Sequence, residues 1–222
     1  MLGGGLVRSV RAVTGAWDPA RPVDGAYSAL LTFESGAFAS ISYSGYAHFD
    51  SDEFCDWIGE IGQLKNPSQY GAARKTLQRL NHPDGEAALK AAGTYGGPDF
   101  TPPPYEPRDH EHFGLTVVSC DRADLRPTPK GVMIYEDFAR RLDPLAQPSL
   151  PRIEVIDEFY EAVVRGRPAI HTGEWGLATM EVCIAIHQSA RERKEIFLRH
   201  QIGVPDRFDA LSTASDVPNR ER

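Results

Sequence analysis

The stretch AYSALLTFESGAFASISYS, residues 26–44, constrains the fold more than any other part of the chain. Apolar and polar residues alternate on both sides of Glu34-Ser35-Gly36. A period of two places successive side chains on opposite faces of a strand. Glycine at the turn reaches positive φ without a Cβ clash. The stretch therefore predicts an antiparallel hairpin in which Tyr27, Ala29, Leu31 and Phe33 share one face. In its second strand Ala39, Ile41 and Tyr43 share one face, and Phe38, Ser40, Ser42 and Ser44 share the other.

The neighbouring segments extend this pattern. LVRSVRAVTGAW (6–17) is valine-rich and reads as a strand. DEFCDWIGEIGQLKN (52–66) predicts a further strand, a turn at Gly59 to Gly62 and a short strand end, which completes an antiparallel meander. A helical insertion follows at about 68–96, with Ala, Leu, Lys and Arg at helical spacing. Residues 96–109 hold five prolines and read as an extended, exposed loop. HFGLTVVSC (112–120) and KGVMIYED (130–137) return to strand pattern, linked by 122–129.

The end of the chain is helical. PRIEVIDEFYEAVVRG (151–166) places Ile153, Ile156, Tyr160 and Val163 on one stripe, with Pro151 suited to the first turn and Gly166 to the end. HTGEWGLATMEVCIAIHQSARERK (171–194) predicts a second helix capped by Thr172 or Gly173, with Glu174 at the positive end of its dipole. Its middle is apolar nearly all round, which predicts deep burial. EIFLRH (195–200) reads as a last strand or a loop leaving the helix. The sum is an α+β domain over 1–204, a mainly antiparallel open sheet with helices packed on one face, and a polar, frayed tail at 205–222.

Composition excludes several classes of function. The 222 residues carry a formal net charge of -7 and no long basic run, so a nucleic-acid surface is not expected. No apolar stretch approaches the roughly 18 residues needed to span a bilayer. Cys55, Cys120 and Cys183 are few and odd in number, which fits reduced, mostly buried thiols in a cytoplasmic protein rather than a disulfide framework. No G-x-S-x-G occurs, so an independent hydrolase has no support.

Residues suited to ligand contact gather in two places. In SYSGYAHFD (42–50), Tyr43, Tyr46 and His48 offer aromatic surface and hydrogen bonds, and Gly45 lets a ligand approach. In PRDHEHFG (107–114), His110 and His112 alternate as divalent-metal ligands would, but no Cys pair completes a set, and no metal is expected. A dicarboxylate bound to an acidic protein needs local positive charge. Arg108, His112 and Arg126 can supply it, because guanidinium groups match carboxylates in pairs. His171 and His187 read as structural, and Asp50, Asp52 and Glu53 as a solvated strand end.

The closing stretch also resembles a known family. Phe159, Ala162 and Gly166, followed by Gly173, Gly176, Leu177, Glu181, Ala185, Ser189 and Ala190, match the C-terminal signature of Gfo/Idh/MocA oxidoreductases. The hairpin and GEIGQ (59–63) look like that family's sheet. YSGYAHFDSDE (43–53), HFGLTVVSCDRADLRPTPKGVMIY (112–135) and the opening GGGLVRSVRAVTG are similar to members that degrade phthalate cis-dihydrodiols. The resemblance implies the family's C-terminal, dihydrodipicolinate-reductase-like domain, which binds a small-molecule substrate and builds homo-oligomers through its sheet. It implies NAD or NADP for the full-length enzyme.

In that family a dinucleotide-binding domain comes first and supplies G-x-G-x-x-G, a catalytic lysine and a catalytic histidine. Gly3, Gly4 and Gly5 do not form that loop and read as the exit from a helix. The expectation is a chain without the Rossmann domain, with no cofactor site and no catalytic residue of its own, inactive alone. The alternative of a different class is a stand-alone binding or scaffold module built on the sheet.

Overall fold

The computed structural model describes residues 6–19, 23–80, 85–102, 108–150 and 152–203. The opening glycines and the polar tail lie outside the described residues. The chain divides into two units, one made of residues 1–47 and 157–222 and the other of residues 48–156.

In the first unit, the valine-rich opening forms β1 (Val7–Gly15) and the hairpin forms β2 (Ala26–Phe33) and β3 (Phe38–Ser44). Gly36, at φ 88°, makes the turn between them. With β8 (Ile196–Phe197) they give an antiparallel sheet in the order β3-β2-β1-β8. The register sets Tyr27 opposite Tyr43, Ala29 opposite Ile41 and Leu31 opposite Ala39, so the faces divide as the alternation predicts.

α4 (Gly173–Glu192) packs on β1 and closes one face of this sheet. Val10, Ala12, Ala29, Leu31, Phe33 and Ala185 form the core between them. Thr172 caps the helix by accepting the Trp175 N–H at 3.3 Å. Ser189, fully buried, accepts the Ala12 N–H at 2.9 Å and donates to the Lys194 carbonyl at 2.6 Å, stitching helix to strand.

The expected deep burial of α4 is corrected. Only Ala178, Ala185 and Ser189 are buried, whereas Leu177, Met180 and Ile184 stay more than half exposed. Small residues touch the sheet because they let the backbones approach closely; Val182 and Ile186 pack partly buried beside them, and Leu177, Met180 and Ile184 fall on the other side of the helix.

α3 (Ile153–Arg165) ends at Gly166, in the left-handed conformation at φ 65°, as the sequence predicts. Its stripe of Ile156, Tyr160 and Val163 is exposed. Glu158 binds the N–H groups of Ile170 and His171 and the His171 ring, fixing the turn from α3 to α4.

In the second unit, the strand expected at 52–58 is absent. A short 3-10 helix, Ser51–Cys55, stands in its place because the Asp50 carboxylate accepts the Asp52 N–H and starts a turn. Asp56 and Trp57 then adopt left-handed φ values of 55° and 59°. The turn at 59–62 does form, closed by an isolated bridge between Ile58 and Leu64. The insertion holds two short helices, α1 (Ala72–Gln78) and α2 (Gly85–Gly93).

A second antiparallel sheet follows. It runs in sequence order through β4 (Val118–Ser119), β5 (Asp124–Thr128), β6 (Gly131–Tyr135) and β7 (Arg140–Pro144). The strand expected over 112–120 shortens to β4, since the residues before it bond to the turn at 59–62 instead. The fold is α+β with open antiparallel sheets and helices, and its strands are shared between two sheets rather than one.

Candidate functional site

Two of the six candidate ligand contacts lie in the first unit. Tyr43, on β3, is exposed and stacks on Tyr27 with ring centroids 5.8 Å apart. Tyr46 is committed to the fold. Its hydroxyl donates to the Val23 carbonyl at 3.0 Å and accepts the Gly25 N–H at 3.3 Å, and its ring tilts against Trp17. Gly45 sits against the Gly25 carbonyl, to which its N–H donates at 2.8 Å, so its small size serves this backbone contact.

The other four lie in the second unit. His48 anchors the start of the insertion through its backbone, because its carbonyl accepts the Tyr70 hydroxyl at 2.9 Å. Its ring forms no hydrogen bond among the described residues. His112 is 9% exposed, and both ring nitrogens are occupied. Nε2–H donates to the Ile58 carbonyl at 2.7 Å. Nδ1 accepts the Gly114 N–H at 3.0 Å and lies 3.5 Å from the Cys55 thiol. Arg126 donates to the Phe54 carbonyl at the end of the same 3-10 helix. Arg108 forms no hydrogen bond or ion pair among the described residues.

Around His112 the chain builds a polar knot that the sequence did not disclose. Lys65 Nζ sits 2.6 Å from the Asp50 carboxylate and 2.8 Å from that of Asp52. The hydrogen bond from Lys65 holds the Asp50 carboxyl below the usual carboxylate range. Burial pushes the Lys65 ammonium down, but the bonds and charges of Asp50 and Asp52 outweigh it and leave its pKa raised. Asp50 and Asp52 are therefore two of the three members of an ion triad rather than a solvated strand end. Burial pushes the Cys55 thiol up, so it remains protonated near neutral pH and is no nucleophile. With both nitrogens engaged, His112 is a positioning residue in this arrangement and has no free site for proton transfer.

A cavity of about 180 Å³ opens elsewhere in this unit, lined by Arg108, Asp109, His110, Glu111, Arg152 and Glu154 among others. Arg152 Nε donates to both oxygens of Glu111, at 3.0 and 3.2 Å. His110 Nε2–H donates to the Ala146 carbonyl at 2.8 Å. Of these residues only Arg108 was expected as a ligand contact. Arg152 lies more than forty residues further on, so no local spacing could pair it with Arg108. Among the described residues no group of three or more His, Cys, Asp and Glu could hold a metal ion, and no helix is long and apolar enough to cross a membrane.

No family model matches the chain. Individual proteins do. The 1-carboxy-3-chloro-3,4-dihydroxycyclohexa-1,5-diene dehydrogenase of Comamonas testosteroni is 36% identical over 192 residues, covering 86% of this chain and 48% of that protein. The crystal structure of a protein from Bordetella bronchiseptica RB50, assigned as a dehydrogenase, superposes with a TM-score of 0.76 at 38% identity, over 88% of this chain and 50% of that one. An Agrobacterium radiobacter oxidoreductase, solved with NAD+, L-tartaric acid and magnesium, shares the fold at 11% identity and a TM-score of 0.52, over 86% of this chain and 43% of that one. The chain thus spans about half the length of the relatives it matches. The resemblance to Gfo/Idh/MocA oxidoreductases holds in sequence and fold, and the resemblance to a dihydrodiol dehydrogenase holds in sequence.

Proposed function

We propose that this chain is the substrate-binding and oligomerisation half of a nicotinamide-dependent dehydrogenase. Its substrate is a cis-dihydrodiol of an aromatic acid, phthalate-like, or a sugar-like polyol. The observation that carries the reading is the 36% identity with a carboxylated dihydrodiol dehydrogenase, extending over nearly all of this chain. The nicotinamide, NAD or NADP, belongs to the half of the enzyme this chain does not match, and supplies the hydride acceptor when bound. This chain's part is to bind and orient the substrate.

A carboxylated substrate calls for a cation, and an acidic protein must concentrate one locally. In the second unit Arg108 and Arg126 are the candidates with guanidinium donors to spare, and His48 carries an exposed ring; Tyr43 is the exposed candidate of the first unit. Tyr46 and His112 hold backbone in place, each within its own unit. No catalytic residue is assigned to this chain.

The free face of the first sheet supports a homo-oligomer. Val13, Leu30, Phe38 and Phe197 share it and are all exposed, at 64, 43, 74 and 58%. Exposed apolar residues gathered on one sheet face favour burial against a partner.

A chimera tests the whole reading. The chain is fused to the part of the Comamonas testosteroni relative that it does not match. The chimera is expected to oxidise a carboxylated cis-dihydrodiol with NAD and to elute as a dimer or larger, whereas the chain alone does neither chemistry nor NAD binding. A folded, NAD-binding chimera that oxidises neither dihydrodiols nor polyols would sink the proposal and favour a scaffold module.

A further inference from the structure

The cavity of the second unit has features that packing alone does not require. Arg108 is half-buried in its wall without a partner among the described residues. Arg152 adopts a left-handed φ of 58°, which costs a non-glycine residue about 1–2 kcal/mol and persists only where the surroundings impose it. Glu111 grips Arg152 through Nε, which fixes the guanidinium plane and leaves its two terminal NH2 groups without a partner among the described residues. His110 gives its Nε2 proton to Ala146, so its neutral ring keeps Nδ1 as an acceptor.

The wall is also rigid. The Asp109 N–H donates to the Gly62 carbonyl at 3.1 Å, and the His110 N–H donates to the Pro129 carbonyl at 2.9 Å. At Gly62 a Cβ would stand 2.0 Å from the Asp109 carbonyl oxygen, so the segment carrying Arg108 is seated against a residue that can only be glycine.

We infer that this cavity is a binding site for a small hydroxylated carboxylic acid. The ligand's carboxylate pairs with Arg108 and the free end of Arg152, and its hydroxyls donate to Asp109, Glu154 and His110 Nδ1. About 180 Å³ admits one small ring and excludes the larger ligands that occupy cavities of roughly 300 Å³ and above. The mixture of charges sets the class. Two arginines attract a carboxylate. The acidic groups beside them disfavour a bare dianion, yet they accept hydrogen bonds from hydroxyls. The competing cations are less available, because Arg126 is bound to Phe54 and His112 to Ile58. The choice of ligand class rests on the dehydrogenase reading; the cavity and its arginines do not.

Shikimate, a stable cyclohexene carboxylate with adjacent hydroxyls, is the probe, titrated into the full 222-residue chain and followed by amide NMR. Shifts are expected at Gly62, at Arg108 to Glu111 and around Arg152. Benzoate, which lacks hydroxyls, and methyl shikimate, which lacks the charge, should bind at least about tenfold more weakly, a difference of one missing charged or polar contact. Arg108→Gln should weaken shikimate by a similar factor, Arg108→Lys by less, and Lys90→Gln on α2 not at all. Spectra of each variant away from the cavity show whether it is folded. Absence of binding, shifts elsewhere, or equal affinity in folded Arg108→Gln would each overturn the site. In the chimera the two ideas separate: an active enzyme whose KM ignores Arg108→Gln removes the site alone. An inactive chimera that still binds shikimate at the cavity removes the dehydrogenase reading alone.

Discussion

The two units of the chain are held together by different physics. The first buries an apolar layer, with Val10, Ala12, Ala29, Leu31, Phe33 and Ala185 between a sheet and a helix. The second has few buried residues, chiefly Cys55, Ile58 and His112, and instead ties its entry segment with a lysine between two aspartates. Burial of apolar area is nearly indifferent to pH and salt, whereas ion pairs and charged hydrogen bonds are not. The core of the first unit therefore depends on shape, whereas the entry segment of the second depends on solution conditions.

Cutting into the first core gives the largest effect. Leu31→Ala should lower stability by about 3 kcal/mol through lost burial and the cavity left behind. Denaturant unfolding measures it, and a loss below about 1 kcal/mol would mean that this layer is looser than described. Ser189→Ala should cost about 2 kcal/mol, because the Ala12 N–H is left buried without an acceptor. Hydrogen exchange at Ala12 should accelerate together with the global loss; unchanged protection would refute the stitch.

The second unit should respond more weakly and in another manner. Lys65→Met should cost about 1 kcal/mol, since the triad is partly open to solvent. Its signature is a reduced dependence of hydrogen exchange near residues 50–65 on salt. Acid gives the finest discrimination. Because the folded-state pKa of Asp50 is depressed, its stabilising contribution is complete above the ordinary carboxylate value near pH 4 and disappears as the pH falls through the lowered folded value. Protection in the second unit should therefore fall in that window while the first unit's core holds, and Asp50→Asn should abolish the acid step. Equal acid sensitivity in both units would erase the distinction drawn between them.

How legible this was from residues alone follows the range of each interaction. The hairpin could be read because alternation and Gly36 act within a few residues, and α3 and α4 could be bounded because Gly166 and Thr172 act at helix ends. The 3-10 helix at 51–55 escaped because one carboxylate, Asp50, bonding to the Asp52 N–H overrode an alternation that looked like a strand. β7 escaped because RRLDP carries no strand pattern of its own and is recruited by β6 across the hairpin. The burial of α4 was misjudged because hydrophobicity does not say which side of a helix a sheet will choose; Ala178, Ala185 and Ser189 won through small size. In the candidate site, Arg108 was visible as a cation. Its neighbours Arg152 and Glu111 became neighbours only through the fold. Lys65 carried no signal until Asp50 and Asp52 closed on it.

The contact between Gly62 and Asp109 places an unusual demand on one atom. The position of three consecutive side chains, Arg108, Asp109 and His110, depends on a hydrogen where nearly every other residue would carry carbon. Adding a single methyl group there would push the strand of backbone behind Asp109 outward and misplace a guanidinium that the methyl itself never touches. The smallest residue in the loop thus governs the reach of one of its largest.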